Sequence, residues 1–135
     1  MTAETVIAIL GAGIIAITFA YVVYKKLPKK VKRVKFTRKW RDIQHLCADK
    51  SNWPQAILLA DLLLDDALKR KKRNGKTMGE RMVAAQKDFS SNDAVWQAHK
   101  FANHIRHDPE GKIKEKDVKS TLVAFRQALR DLGAL

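Results

Sequence analysis

The chain has 135 residues, 46% hydrophobic and 30% charged, with a formal net charge of +13 and one cysteine. That length holds one modest domain with an appendage, and a single cysteine excludes an internal disulfide framework and any multi-cysteine zinc site. The charge is uneven: residues 1–24 carry only Glu4, residues 25–41 carry ten Lys/Arg and no acid, and residues 42–135 carry seventeen bases against thirteen acids.

Residues 5–24, TVIAILGAGIIAITFAYVVY, form an uncharged run. Twenty helical residues at about 1.5 Å each span the roughly 30 Å hydrocarbon core of a bilayer, where a helix satisfies its own backbone polar groups. A cleaved signal peptide carries its positive charge before the apolar stretch. Here Glu4 precedes the run, and Lys25, Lys26, Lys29, Lys30, Lys32, Arg33 and Lys35 follow it. The expectation is a single-pass plasma-membrane anchor over residues 1–24, with the N-terminus outside and the rest cytoplasmic. Tyr21 and Tyr24 fit an aromatic belt at the inner interface. Ala8, Ala12, Ala16 and Ala20 recur every fourth residue, a small-residue stripe through which two copies would self-associate, or simply ordinary membrane-helix composition.

Residues 25–38 read as a basic juxtamembrane linker, in which Pro28 argues against a continuous helix. Each Lys or Arg near an anionic leaflet contributes on the order of 1 kcal/mol, so this segment is expected along the lipid headgroups. Charge alone also attracts nucleic-acid phosphate, but the position beside the span favours lipid. Phe36 and Trp40 either insert at the interface or, for Trp40, begin the first cytoplasmic helix.

From residue 39 to 135 the pattern is helical throughout and predicts a four- to five-helix antiparallel bundle, so the fold class is all-α. Trp40, Ile43, Leu46 and Cys47 share one face of a first helix, with Cys47 as a small core residue. Ser51 or Asn52 caps a second, which has Pro54 in its first turn and stops near Asn74-Gly75, the expected left-handed terminator. Its basic end, Lys69 to Arg73 with Lys76, is a solvated helix terminus or a patch for RNA or a headgroup. Thr77-Met-Gly-Glu80 is a capping-box pattern for a short third helix. A fourth starts at Ser91, Asn92 or Asp93 and ends before Pro109. The last repeats Val118, Leu122, Phe125, Leu129 and Leu132 at spacings of 4, 3, 4 and 3, then closes at Gly133.

The segment VWQAHKFANHIRHDP carries three of the four histidines. At 100° per residue, His99, Asn103 and His107 form one stripe, flanked by Trp96, Lys100 and Arg106, while Ala98, Phe101, Ala102 and Ile105 face the other way. Such a face either binds phosphate and supplies an acid/base group, or is the solvated side of an amphipathic helix. His99 and His107 are about 12 Å apart along the axis, too far to share a metal ion, and no metal or other cofactor is expected. Asp61 lies inside ILLADLLL, where an unpaired carboxylate is costly. It is expected to meet His107, Lys100 or Arg106 on the histidine-bearing helix.

The stretches WPQAILLADLLLDDALK, GKTMGERM, VWQAHKFANHIRHDP and VKSTLVAFRQALRDLGAL resemble the HEPN domains (higher eukaryotes and prokaryotes nucleotide-binding), in particular their small membrane-anchored bacterial relatives. The resemblance covers residues 40–135 and implies a helical bundle that commonly dimerises. Active members are metal-independent ribonucleases with an arginine followed, four to six residues on, by a histidine, often as Arg-Asn-x-x-x-His. Asn103 matches the asparagine and His107 the histidine, but Ala102 occupies the arginine position. The arginine is expected to hold the scissile phosphate, which alanine does not do. The resemblance with this departure implies a membrane-tethered, non-catalytic module that binds RNA, a nucleotide or a protein partner through Asp61, His99, Lys100, Asn103, Arg106 and His107. The alternatives are a ribonuclease with a degenerate motif, in which His107 is catalytic, and a structural membrane adaptor.

Overall fold

In a computed structural model the chain is described for residues 2–27 and 32–135, and among these it is all-helical with no strand. Helix α1 (Ala3–Lys26) starts at Thr2, whose side chain accepts from the Thr5 N–H, and it carries Glu4 in its first turn. It buries no residue, although it is long and apolar enough to cross a membrane. Leu27 leaves the helix at φ −66°, ψ 134°. It is the residue before Pro28, and the proline ring disfavours the helical region there. Lys29, Lys30 and Pro28 themselves lie outside the described residues.

The bundle begins earlier than its apolar spacing predicts. Helix α2 (Arg33–Leu46) takes in residues 33–38, the C-terminal part of the expected basic linker. The reason is Phe36, which is 2% exposed and extends the inward face of Trp40 and Ile43 by one turn. Neither Phe36 nor Trp40 is free to insert into lipid: both belong to the core.

After a 3-10 turn at Lys50–Asn52, capped by the Asp49 side chain, α3 (Trp53–Arg70) runs through the middle of the domain. Asn52 stands at its N-cap without a side-chain hydrogen bond, and Pro54 sits in the first turn. Ala56, Ile57, Ala60, Leu64, Ala67 and Leu68 are fully buried, so α3 is the core helix on which the others pack. Each large aliphatic side chain so buried contributes about 1.5–3 kcal/mol.

The end of α3 corrects the expected terminator. The left-handed residue is Lys72, at φ 56°, and the Arg73 N–H closes back onto the Leu68 carbonyl at 3.1 Å. Gly75 is needed for another reason. A Cβ there would lie 2.7 Å from the Arg81 nitrogen and from Glu80 Cβ, because the turn closes tightly over the start of α4 (Met78–Ala84). Thr77 caps α4 by accepting from the Glu80 N–H at 3.2 Å. The return bond goes from the Lys76 N–H to Glu80 rather than from Thr77, one residue earlier than the standard box.

Helices α5 (Asn92–His107) and α6 (Glu115–Asp131) complete the domain as an antiparallel pair. Their far ends are joined by Asp131, which accepts from both the N–H and the hydroxyl of Ser90. Val118, Phe125, Leu129 and Leu132 are buried as their spacing predicts, and Gly133 closes α6 at φ 72°. Chain neighbours α2 and α3 are antiparallel: Lys39 reaches Asp66, and Arg70 lies over the Phe36 ring at 5.9 Å. Helices α3 and α6 instead run in the same direction, since Lys50 and Trp53 lie by Ile113 and Glu115 at one end, and Lys71 by Gly133 at the other.

Candidate functional site

Two aspartates one turn apart on α3 organise the polar interior. Asp61 is 1% exposed, and each of its oxygens meets a different residue of α5. His99 Nδ1 lies 2.8 Å from Oδ1, and Arg106 Nη2 donates to Oδ2. Arg106 also donates through Nη1 to Asn103 Oδ1. That bond turns the Asn103 amide nitrogen toward His99 Nε2, at 3.4 Å. The circuit Asp61–His99–Asn103–Arg106 therefore closes on itself.

The circuit assigns the histidine tautomer. Nε2 faces an amide donor and accepts, so the ring proton sits on Nδ1 and is donated to Asp61. A carboxylate that orients an imidazole in this way is half of an acid/base pair. Here the nitrogen that would react is covered by Asn103, and the Trp96 ring stands edge-on to the imidazole at 6.2 Å. As it stands the arrangement ties α3 to α5 and satisfies a buried charge, which is what a carboxylate in an apolar run requires.

The residues of the expected site thus divide. Asp61, His99, Asn103 and Arg106 come together, and Arg106 is the expected partner that Asp61 meets. His107 and Lys100 are not partners of Asp61. Lys100, His104 and His107 are all exposed, because a rotation of 100° per residue carries positions 100, 104 and 107 away from α3. Ala102 is 0% exposed and packed in the core beside Ala98 and Ile105. An arginine at 102 would have no open path from that position toward His107 without displacing the core.

The second aspartate was not matched to a partner by sequence. Asp65 is gripped by Arg81 of α4 through two parallel bonds, Nε to Oδ1 at 2.7 Å and Nη2 to Oδ2 at 2.9 Å. Lys69 approaches Oδ2 at 3.1 Å, and Arg81 Nη1 also donates to the Gly75 carbonyl. Burial pushes the Asp65 carboxyl up, but the bonds and charges of Arg81 and Lys69 outweigh it and hold the group below the usual carboxylate range. The signal was present: Asp65 lies among Leu63, Leu64, Ala67 and Leu68, and the argument applied to Asp61 applies equally to it.

Neither family models, curated proteins nor solved structures give a match to this chain. The site must therefore be read from its own geometry. Among the described residues no three His, Cys, Asp or Glu side chains converge as a metal-ligand set. A cavity of about 420 Å³ lies between α2 and α3, lined by Ile43, Leu59, Leu62 and Leu63 with Lys39 and Asp66 at its edge, and it takes no residue from α5. Of the residues expected at a membrane surface, Lys25 and Lys26 end α1, Lys32 is the N-cap of α2, and Arg33 and Lys35 are exposed in its first turn.

Proposed function

We propose that the chain is a single-pass, membrane-tethered helical module without catalytic activity, which holds its bundle at the cytoplasmic face of the plasma membrane. The observation that carries this reading is α1, a helix of membrane-crossing length that buries none of its residues against the rest of the chain. A soluble protein rarely leaves so large an apolar surface uncovered. The orientation follows from the ten Lys/Arg that come after the span against the single Glu4 before it. The non-catalytic reading is supported by Ala102 in the core, by the exposed His107 and by the closure of His99 onto Asn103.

The bundle's role on this reading is to present surface, as an adaptor, rather than to bind RNA or a nucleotide in the Asp61–His99 circuit. On the resemblance to HEPN domains, Ala102 stands at the position of the motif arginine. Two experiments test the proposal. The full chain should resist alkaline carbonate extraction, and protease added to intact cells should leave the bundle uncut until the membrane is permeabilised. Extraction, or digestion from outside, would refute the tether or its orientation. Full-length protein in detergent with EDTA should leave single-stranded RNA intact; cleavage that disappears in His107→Ala would restore the ribonuclease.

A further inference from the structure

The second basic cluster, at the end of α3, is not explained by the tether alone. Two of its members are consumed within the fold: Lys69 pairs with Asp65, and Arg73 with Asp88 at 2.8 Å. The side chains of Arg70, Lys71, Lys72 and Lys76 form no ion pair among the described residues. Of the acids flanking the cluster, Asp66 pairs with Lys39, and Glu80 accepts from the Lys76 N–H in the first turn of α4. Lys72 moreover holds a left-handed conformation at which glycine is the relaxed choice.

Its place in the fold is the informative fact. Because α2 and α3 are antiparallel, the last turn of α3 lies against the first turns of α2, as the Arg70–Phe36 contact requires. The first turn of α2 is also where the anchor connects. Only six residues separate the last residue of α1, Lys26, from Arg33. At no more than about 3.6 Å per residue the connection reaches about 25 Å at full stretch. The end of the bundle that carries Arg70–Lys76 is therefore the end at which the anchor joins, within about 25 Å of the span, and an anionic leaflet attracts such cations once they come within a Debye length of about 8 Å.

We infer that Arg70, Lys71, Lys72 and Lys76 form a second membrane contact, which takes the phosphate headgroups of anionic lipid and docks the bundle end-on against the leaflet. The inference rests on the proposed tether. With α2's Arg33 it gives two charged contacts from distant parts of the chain, so the bundle is fixed in orientation rather than swinging on its linker. The occupant is a lipid surface rather than RNA because the anchor's short connection presents this end to the bilayer first.

The test uses the full chain, with Cys47→Ala and Asn74→Cys carrying a fluorophore, reconstituted in phosphatidylcholine vesicles or in vesicles one-third phosphatidylglycerol. Headgroup spin-labelled lipid should quench the probe severalfold more in the anionic vesicles, and high salt should remove the difference. Lys71→Gln with Lys72→Gly and Lys76→Gln should abolish it as well, and the Lys72→Gly change should leave thermal stability equal or higher. Equal quenching in both vesicle types, or none in either, would overturn the docking while leaving the tether standing. Carbonate extraction of the chain would overturn both. Tight binding of single-stranded RNA to the chain in phosphatidylcholine vesicles, lost in the triple variant, would reassign the patch to nucleic acid and overturn the lipid contact.

Discussion

Asp61 and Asp65 sit one turn apart on the same helix, both buried, yet they are neutralised in different ways. Asp65 is held by one arginine that offers both oxygens a parallel fork, with a lysine behind it. Asp61 divides its oxygens between a histidine and an arginine, and an asparagine closes the ring. The first arrangement depends on a single side chain that is itself nearly buried, at 8% exposure. The second is spread over three residues of α5 and reaches solvent at Arg106. Concentrated pairing makes Asp65 the stronger and more brittle lock, and the distributed circuit makes Asp61 the more tolerant one.

The contrast is broken most sharply at Arg81. Arg81→Ala leaves a buried carboxylate with only an exposed lysine and should destabilise the bundle by about 3 kcal/mol. All three tryptophans lie in the bundle, so intrinsic fluorescence during urea unfolding in non-ionic detergent reads this domain alone. Asp61→Ala should cost less, about 2 kcal/mol, because Arg106 can turn to water once its partner is gone and only His99 loses a buried acceptor. Equal losses at the two sites would remove the distinction between them.

Acid provides a reversible version of the same break. Asp65 titrates below the usual carboxylate range in the folded chain, so its contribution is complete above about pH 4 and drains as pH falls through the lower folded value. The stability gap between the wild type and Asp65→Asn should therefore narrow as pH falls below about 4. A gap independent of pH would mean that the Arg81 fork contributes no net charge stabilisation.

Smaller effects test the circuit. Asn103→Ala should cost about 1 kcal/mol. Combined with Arg106→Ala it should cost less than the sum, since both substitutions break the same ring. Strict additivity would show that Asn103 and Arg106 act separately. His107→Ala should change stability by less than about 0.5 kcal/mol, as expected for an exposed histidine.

Much of this was legible in the sequence, and for local reasons. An uncharged run of membrane-crossing length, a proline after Leu27, a Thr-x-x-Glu cap and a 4-3 apolar repeat each act over a few residues, so composition and spacing reveal them. The buried carboxylate at 61 announced itself because an acid amid leucines requires a partner. What spacing did not reveal was identity across the interface. His99 rather than His107 meets Asp61, because the contact depends on the rotational setting of α5 against α3, which tens of degrees decide. Phe36 looked like part of a lipid-facing linker until the bundle supplied a core for it.

By itself, then, the sequence determined the helical class, the apolar N-terminal helix, the division of charge along the chain and the need for a partner at Asp61. Tertiary structure alone decided that Arg81 closes on Asp65, that Asn103 shields the free nitrogen of His99, and that the basic end of α3 packs beside the first turn of α2. The physical reason is that periodicity fixes which side of a helix turns inward, whereas packing fixes which helix that side meets and in which direction it runs.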